Sequence, residues 1–236
     1  MKRMFAFCAA ALLAVAMTAC SSVPVGSQAA SGNAKKVMLV RAKEGGGEQL
    51  IIDHLKKMGY TVYDAVDASF SVEAAKDYGV VYISSAVNSS KIDSKLKQLA
   101  VPVVVSKTQV ASMLGMGGAS GFGEAPGVKT GQIKDGKHPA AAGLKDTVAI
   151  YKEEGKISYS LSPSSEAAVI ALNPVNGNAK QNTIFAYEKG AKNALNEPVP
   201  ARQVFFSLPT GQETNLTDNG WKLFDAAIQW AAQGGK

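Results

Sequence analysis

VVYISSAVNSSKIDSKLKQLAVPVVV, residues 80–105, is the stretch that decides the fold. Val80-Val81-Tyr82-Ile83 is short, apolar and β-branched, and it runs straight into Ser84-Ser85. Val101-Pro102-Val103-Val104-Val105 repeats the pattern and ends on Ser106-Lys107-Thr108. Short apolar runs with no polar alternation are strands buried on both faces, as in a parallel sheet. The polar segment between them, Ser89 to Leu99, is expected to be the crossover helix. Upstream the same unit recurs. Val37-Met38-Leu39-Val40 reads as a strand, and Glu48 to Met58 as a helix with Leu50, Ile51, His54 and Leu55 at helical spacing, ended by Gly59. Thr61-Val62-Tyr63 reads as a second strand, and Ser71 as the cap of a short helix reaching Tyr78. Strand and helix alternating over short connections predict a parallel sheet covered on both faces.

The second half follows another rhythm. Residues 115–131 are rich in Gly, Ala and Ser and show no period. Beyond them, strand-like runs at 148–151, 167–172, 183–187 and 203–208 are separated by turn residues such as Asn173-Pro174 and Asn176-Gly177-Asn178. Thr217 to Ala232 predicts a helix capped by Thr217 or Asn215 and stopped at Gly234-Gly235. Its broad apolar face carries Trp221, Leu223, Phe224, Ala227, Ile228, Trp230 and Ala231. The two tryptophans share that face and are expected to pack in the core. No internal repeat is visible, and residues 35–236 read as one domain.

The N-terminus is of a different kind. Met1-Lys2-Arg3 is basic, and residues 4–17 are almost wholly apolar but too few to span a bilayer. Met17-Thr18-Ala19-Cys20-Ser21 resembles the lipobox of bacterial lipoproteins. That resemblance implies removal of residues 1–19, acylation of Cys20 and anchoring to a membrane, with several acyl chains making the attachment durable. Ser21, rather than Asp, implies outer-membrane sorting by the rule known for Gram-negative enterics. Residues 20–34 read as a flexible tether of small and polar residues.

Hydrophobic residues make up 46% of the 236 and charged residues 19%, enough for a packed core. Taking Lys2 and Arg3 from the 25 basic residues leaves 23 against 19 acidic, an excess of 4 over the mature chain. No Lys/Arg run interleaves with aromatics, so no nucleic-acid partner is expected. The excess reads as a solvated basic surface, with weak attraction to an anionic envelope surface the alternative. The only cysteines are Cys8 and Cys20, so the domain beyond the anchor has no thiol, disulfide or cysteine metal ligand.

Candidate site residues lie where strands end, the place where α/β sheets bind ligands. They are Glu44, Gly45 and Gly46 after the first strand, Ser84, Ser85 and Asn88 after the third, and Lys107 and Thr108 after the fourth. Glycines ahead of a helix, with hydroxyls nearby, suit an anion or a sugar hydroxyl, and the same residues serve as tight turns and helix caps. The glycines match neither GxGxxG nor GxxxxGK[ST], and no cofactor is expected. His54 reads as a packing residue. His138, before Pro139, lacks any partner at metal-ligand spacing, and no metal is expected. Asp64 and Asp67 suit hydroxyl binding or helix capping. No Gly-x-Ser-x-Gly elbow is present.

Residues 80–105, His138-Pro139-Ala140-Ala141-Ala142-Gly143-Leu144 and residues 214–232 together resemble a ThuA-like domain of the class I glutamine amidotransferase-like fold. The resemblance covers about residues 35–233. It implies an α/β, flavodoxin-like three-layer parallel sheet with additional β-strands in the C-terminal half and a C-terminal helix. In amidotransferases of this fold a cysteine nucleophile follows the strand that here is 101–105. The matching position is Lys107, which excludes glutaminase chemistry. The resulting expectation is a non-catalytic envelope lipoprotein binding a ligand or partner, with a glycan or an envelope protein as candidates. The alternatives are a carbohydrate-acting hydrolase or isomerase using Ser85, Lys107, Glu44 or His138, and an assembly protein docking another envelope protein.

Overall fold

A computed structural model describes residues 33–118, 121–174 and 181–234. Residues 1–32, with Cys20 and most of the expected tether, lie outside the described residues, as do the Asn176-Gly177-Asn178 turn and Gly235. The first half is β1 (Lys36–Arg41), α1 (Glu48–Lys57), β2 (Thr61–Val66), α2 (Val72–Ala75), β3 (Val80–Ile83), β4 (Val103–Val105) and α3 (Thr108–Met113). The second is β5 (Phe122–Val128), β6 (Thr130–Ile133), β7 (Thr147–Ala149), β8 (Gly155–Ser160), β9 (Ala168–Leu172), β10 (Asn182–Tyr187), β11 (Gln203–Phe206) and α4 (Asp218–Gln233).

All these strands join one sheet in the order β2-β1-β3-β4-β11-β10-β9-β6-β7, with β8 against β10 and β5 against β8. From β2 to β11 the strands are parallel, and from β10 onward the pairings are antiparallel. Alternation splits each parallel strand between two cores. Val37, Leu39, Tyr82, Val104 and Phe206 face α1 and α4. Met38, Val40, Val81, Ile83, Val105 and Phe205 face the other side with Leu96, Val110 and Ala111. Both faces are covered, which is why these strands carry unbroken apolar runs.

Two expectations are corrected. Residues 89–99 form two 3-10 turns, Ser89–Lys91 and Ser94–Gln98, in place of an α-helix. The Asn88 side chain accepts from the Ser90 N–H and that of Asp93 from the Lys95 N–H, so each short turn is capped locally and the run is broken between them. The aperiodic stretch 115–131 yields β5 and the first half of β6, and β8 also went unread. Pro126 and Gly127 lie at a register irregularity of β5 against β8, and Gly127 has a φ of 69°. Gly and Pro in a strand that bends off the main path hide its period. The cap of α4 is Thr217, whose hydroxyl accepts from the Gly220 N–H, one of the two caps read from the sequence, and Asn215 is not the cap.

Candidate functional site at the strand ends

The chain goes from β1 outward to β2 and then returns to β3 on the other side of β1. The C-terminal ends of β1 and β3 are therefore a topological switch point, where the loops diverge and leave a crevice. Here that crevice is filled by the protein's own side chains. Glu48 opens α1 and is buried, and Ser84, also buried, donates to its Oε1 at 2.6 Å. Glu213 reaches in from the segment after β11 and is 2% exposed. Its Oε2 accepts from the Gly211 N–H at 2.8 Å. A Cβ at Gly47, the residue that caps α1, would overlap this carboxylate. Glu213 thus occupies the N-terminus of α1, where the exposed peptide N–H groups and the helix dipole favour an anion.

Burial pushes the Glu213 carboxyl above its ordinary range; its own N–H pulls it down, the Glu48 charge pushes it further up, and the Gly211 N–H pulls it down again, with the upward causes prevailing. Tyr82 lies below on β3, and its hydroxyl bonds Ser106 Oγ at 3.1 Å while Ser106 donates to the Phe206 carbonyl at 2.8 Å. Burial raises the Tyr82 phenol, with Glu213 and Glu48 adding to the shift. Burial and Glu213 likewise raise Tyr151, whose buried hydroxyl has no hydrogen-bond partner among the described residues. Two carboxyl groups and two phenols share this interior.

The sequence-read candidates divide. Gly45 and Gly46 are exposed with φ of 80° and 76°, a left-handed region open to glycine, and Glu44 is exposed beside them. Buried Arg41 holds this loop by donating to the Gly45 carbonyl and pairing with Asp64. Ser85 bonds Thr210 at 2.8 Å, bridging the ends of β3 and β11. Ser84 serves Glu48, and the Asn88 side chain caps its own turn. The Asn88 N–H donates to buried Asp67, which also takes Lys91 at 3.1 Å. Burial alone would raise the Asp67 carboxyl, but these donors together hold it below its ordinary value. Lys107 caps α3 with a φ of −82° and Thr108 bonds Gln109. An ordinary extended backbone at Lys107 is not the strained turn of a nucleophile elbow.

His138 is not with the others. Its ring packs on Trp230 at 4.9 Å near the far end of α4, and its Nδ1 accepts from the Ala140 N–H. Ser85, Lys107, Glu44 and His138 therefore do not form one constellation. His54 stacks on Trp221 at 4.1 Å and bonds Asp225 at 2.6 Å, tying α1 to α4. Among the described residues no group of three His, Cys, Asp or Glu side chains is placed to hold a metal. Sequence reading missed Glu48 and Glu213. Their only signal is position, immediately after Gly47 and shortly after Thr210-Gly211, because carboxylates at such places normally face water.

No protein-family model matches the chain, and no curated protein sequence matches it. Solved structures do. A GMP synthase subunit protein from Thermoplasma acidophilum aligns with a TM-score of 0.56 at 11% identity, covering 84% of this chain and 94% of that one. PurLQS from Thermotoga maritima aligns at 0.50 and 11%, covering 83% and 98%. A glutamine amidotransferase from Thermotoga maritima aligns at 0.44 and 12%, covering 81% of each chain. Likeness at such identity speaks for the fold alone. The domain has the class I glutamine amidotransferase-like fold, a flavodoxin-type parallel sheet with added strands and a C-terminal helix.

Proposed function

We propose that this chain is a lipid-anchored envelope protein whose ThuA-like domain binds a hydroxylated ligand, a glycan, at the strand ends without catalysing a reaction on it. The observation that carries the reading is the crevice filled from within. Glu213 holds the helix N-terminus, and Ser84 and Ser106 are committed to Glu48 and the Phe206 carbonyl. Lys107 stands at the nucleophile position with a relaxed backbone. What faces solvent is a polar rim: Lys43, Glu44, Gly45, Gly46, Asn88 and Thr210. Ammonium, peptide and hydroxyl groups suit sugar hydroxyls better than an apolar ligand. The basic N-terminus, apolar run and Met17-Thr18-Ala19-Cys20 support the anchor.

Two measurements test this. Mass analysis of the N-terminal peptide is expected to find acyl groups on Cys20, lost in Cys20→Ser. A thermal-shift screen against envelope glycans is expected to give a saturable rise in Tm, because a ligand binding only the folded state stabilises it by mass action. Thr210→Ala is expected to weaken that rise while changing the stability of the free protein by no more than about 0.5 kcal/mol. Turnover of any carbohydrate in the screen would sink the non-catalytic reading.

A further inference from the structure

Opposite the crevice, the sheet has a second edge at which the described chain begins. Lys36 starts β1, its N–H bonds the Asn33 carbonyl, and a Cβ at Gly79 would overlap Asn33 and Ala34. The entering chain is thus pinned at the N-terminal ends of β1 and β3. Parallel register places Thr61 beside Lys36, and the Thr61 N–H bonds the Lys35 carbonyl. Because α1 runs back against the sheet, its last turn returns Lys56 and Lys57 to the same edge. Lys35, Lys36, Lys56 and Lys57 are all exposed. None has a carboxylate within ion-pair distance among the described residues, and Lys35 lies over the Tyr60 ring at 5.0 Å. Of the acidic residues toward that end, Glu188 is held by Arg202, Asp225 by His54 at 2.6 Å, and Glu197 lies 3.9 Å from Lys97. Asp53, on α1 one turn before Lys56 and Lys57, accepts from Gln49 at 3.0 Å, and Asp77 and Asp135 make no ion pair among the described residues. The crevice edge mixes signs, with Lys43 next to Glu44 and Lys91 on Asp67.

We infer that this lysine edge is a docking surface for anionic phospholipid headgroups, which seats the domain on the membrane and turns the crevice outward. The inference rests on the anchoring reading above. Cys20 lies 13 residues before Asn33, a span of at most about 45 Å when fully extended. That bound keeps the end where the chain enters nearer the acylated residue than the crevice, which lies a further domain breadth of roughly 40 Å away, so its ammonium groups are the ones the anchor brings toward anionic headgroups. A paired surface would gain little from that proximity, whereas these four lysines hold no ion pair among the described residues that would have to break.

The test uses the acylated protein in phosphatidylcholine vesicles with and without phosphatidylglycerol. Acetylation rates of individual lysines are read by peptide mass. Lys35, Lys36, Lys56 and Lys57 are expected to react several-fold more slowly on the anionic vesicles, and Lys43 and Lys107 at unchanged rates. In K56Q/K57Q, the protection of Lys35 and Lys36 is expected to shrink, and raised salt should abolish it. Equal rates on both vesicles, or protection of Lys43 and Lys107 instead, would overturn the inference. If Cys20 carries no acyl group, the anchoring reading fails on that mass alone. The same lysine footprint on added anionic vesicles then decides the surface separately, protection supporting it and uniform reactivity overturning it.

Discussion

Gly47 and Glu213 are the residues on which the crevice turns. Gly47 has a φ of −65°, which alanine adopts without strain, so the backbone change in Gly47→Ala acts through the unfolded chain and favours stability, and any loss comes from the added Cβ. That Cβ displaces a carboxylate that is buried and bonded to Gly211. The expected cost is about 1–3 kcal/mol by chemical denaturation, and Glu213→Ala in the same chain should recover most of it. Charge at Glu213 gives a second prediction. Its carboxyl is raised above the ordinary 4.5. Its protonation therefore contributes stability fully present below 4.5 and lost as pH rises through the folded-state value. Glu213→Gln removes that titration, so the Tm of the variant relative to the wild type should climb with pH above 4.5. A flat difference would mean that neither burial nor Glu48 raises the Glu213 carboxyl. The two tyrosines give a contrast. Tyr82→Phe gives up a bond to Ser106 and should cost about 1 kcal/mol, whereas Tyr151→Phe removes a buried hydroxyl without a partner among the described residues and should be neutral or stabilising.

At the scale of elements, α4 carries the most. Thr217 accepts from the Gly220 N–H at 3.1 Å and donates to the Ala149 carbonyl at 2.7 Å, so it both starts the helix and fastens it to β7. Thr217→Ala should lower stability by about 1–2 kcal/mol in urea unfolding. At the other end Arg202 donates to the Trp230 carbonyl at 2.7 Å and lies 4.4 Å over the Trp230 ring, a cation on the last turn where the dipole favours one. Elements with a strong period were legible: α1, α4 and the parallel strands appear within a few residues of their sequence reading. The segment 89–99 was not, because Asn88 and Asp93 bond their own following N–H groups, and single side-chain bonds of that kind leave no periodic trace. β5 and β8 hid for the related reason that they pair with each other off the main path of the sheet and are buried irregularly along their length, so neither carries a clean apolar face.

Across the whole molecule, two halves of different rhythm meet at the β4–β11 pairing and share α4. Phe224 is the ring that joins them. It meets Tyr82 of β3 at 5.4 Å, Phe206 of β11 at 5.6 Å and Trp221 at 5.8 Å, each edge to face. Phe224→Ala should cost about 3–5 kcal/mol, with near-UV circular dichroism and tryptophan fluorescence melting together at the lowered temperature. Separate transitions would show that the halves unfold independently.

Apolar runs buried on both faces and a 3.6-residue stripe can be read from the chain, because burial imposes a period on whatever lies next to a core. By itself the sequence therefore determined the parallel sheet, the helices α1 and α4 and the absence of any cysteine beyond Cys20. The crevice could not be read in this way. Glu48 and Glu213 are separated by 165 positions and come together only because β11 is inserted beside β4 and its following loop folds back over α1. The same closure places the Ser85–Thr210 bridge and sends His138 to the far end of α4. Such contacts depend on strand order, which a single sequence encodes only through the sum of its packing, so the tertiary structure alone decided what fills the switch point.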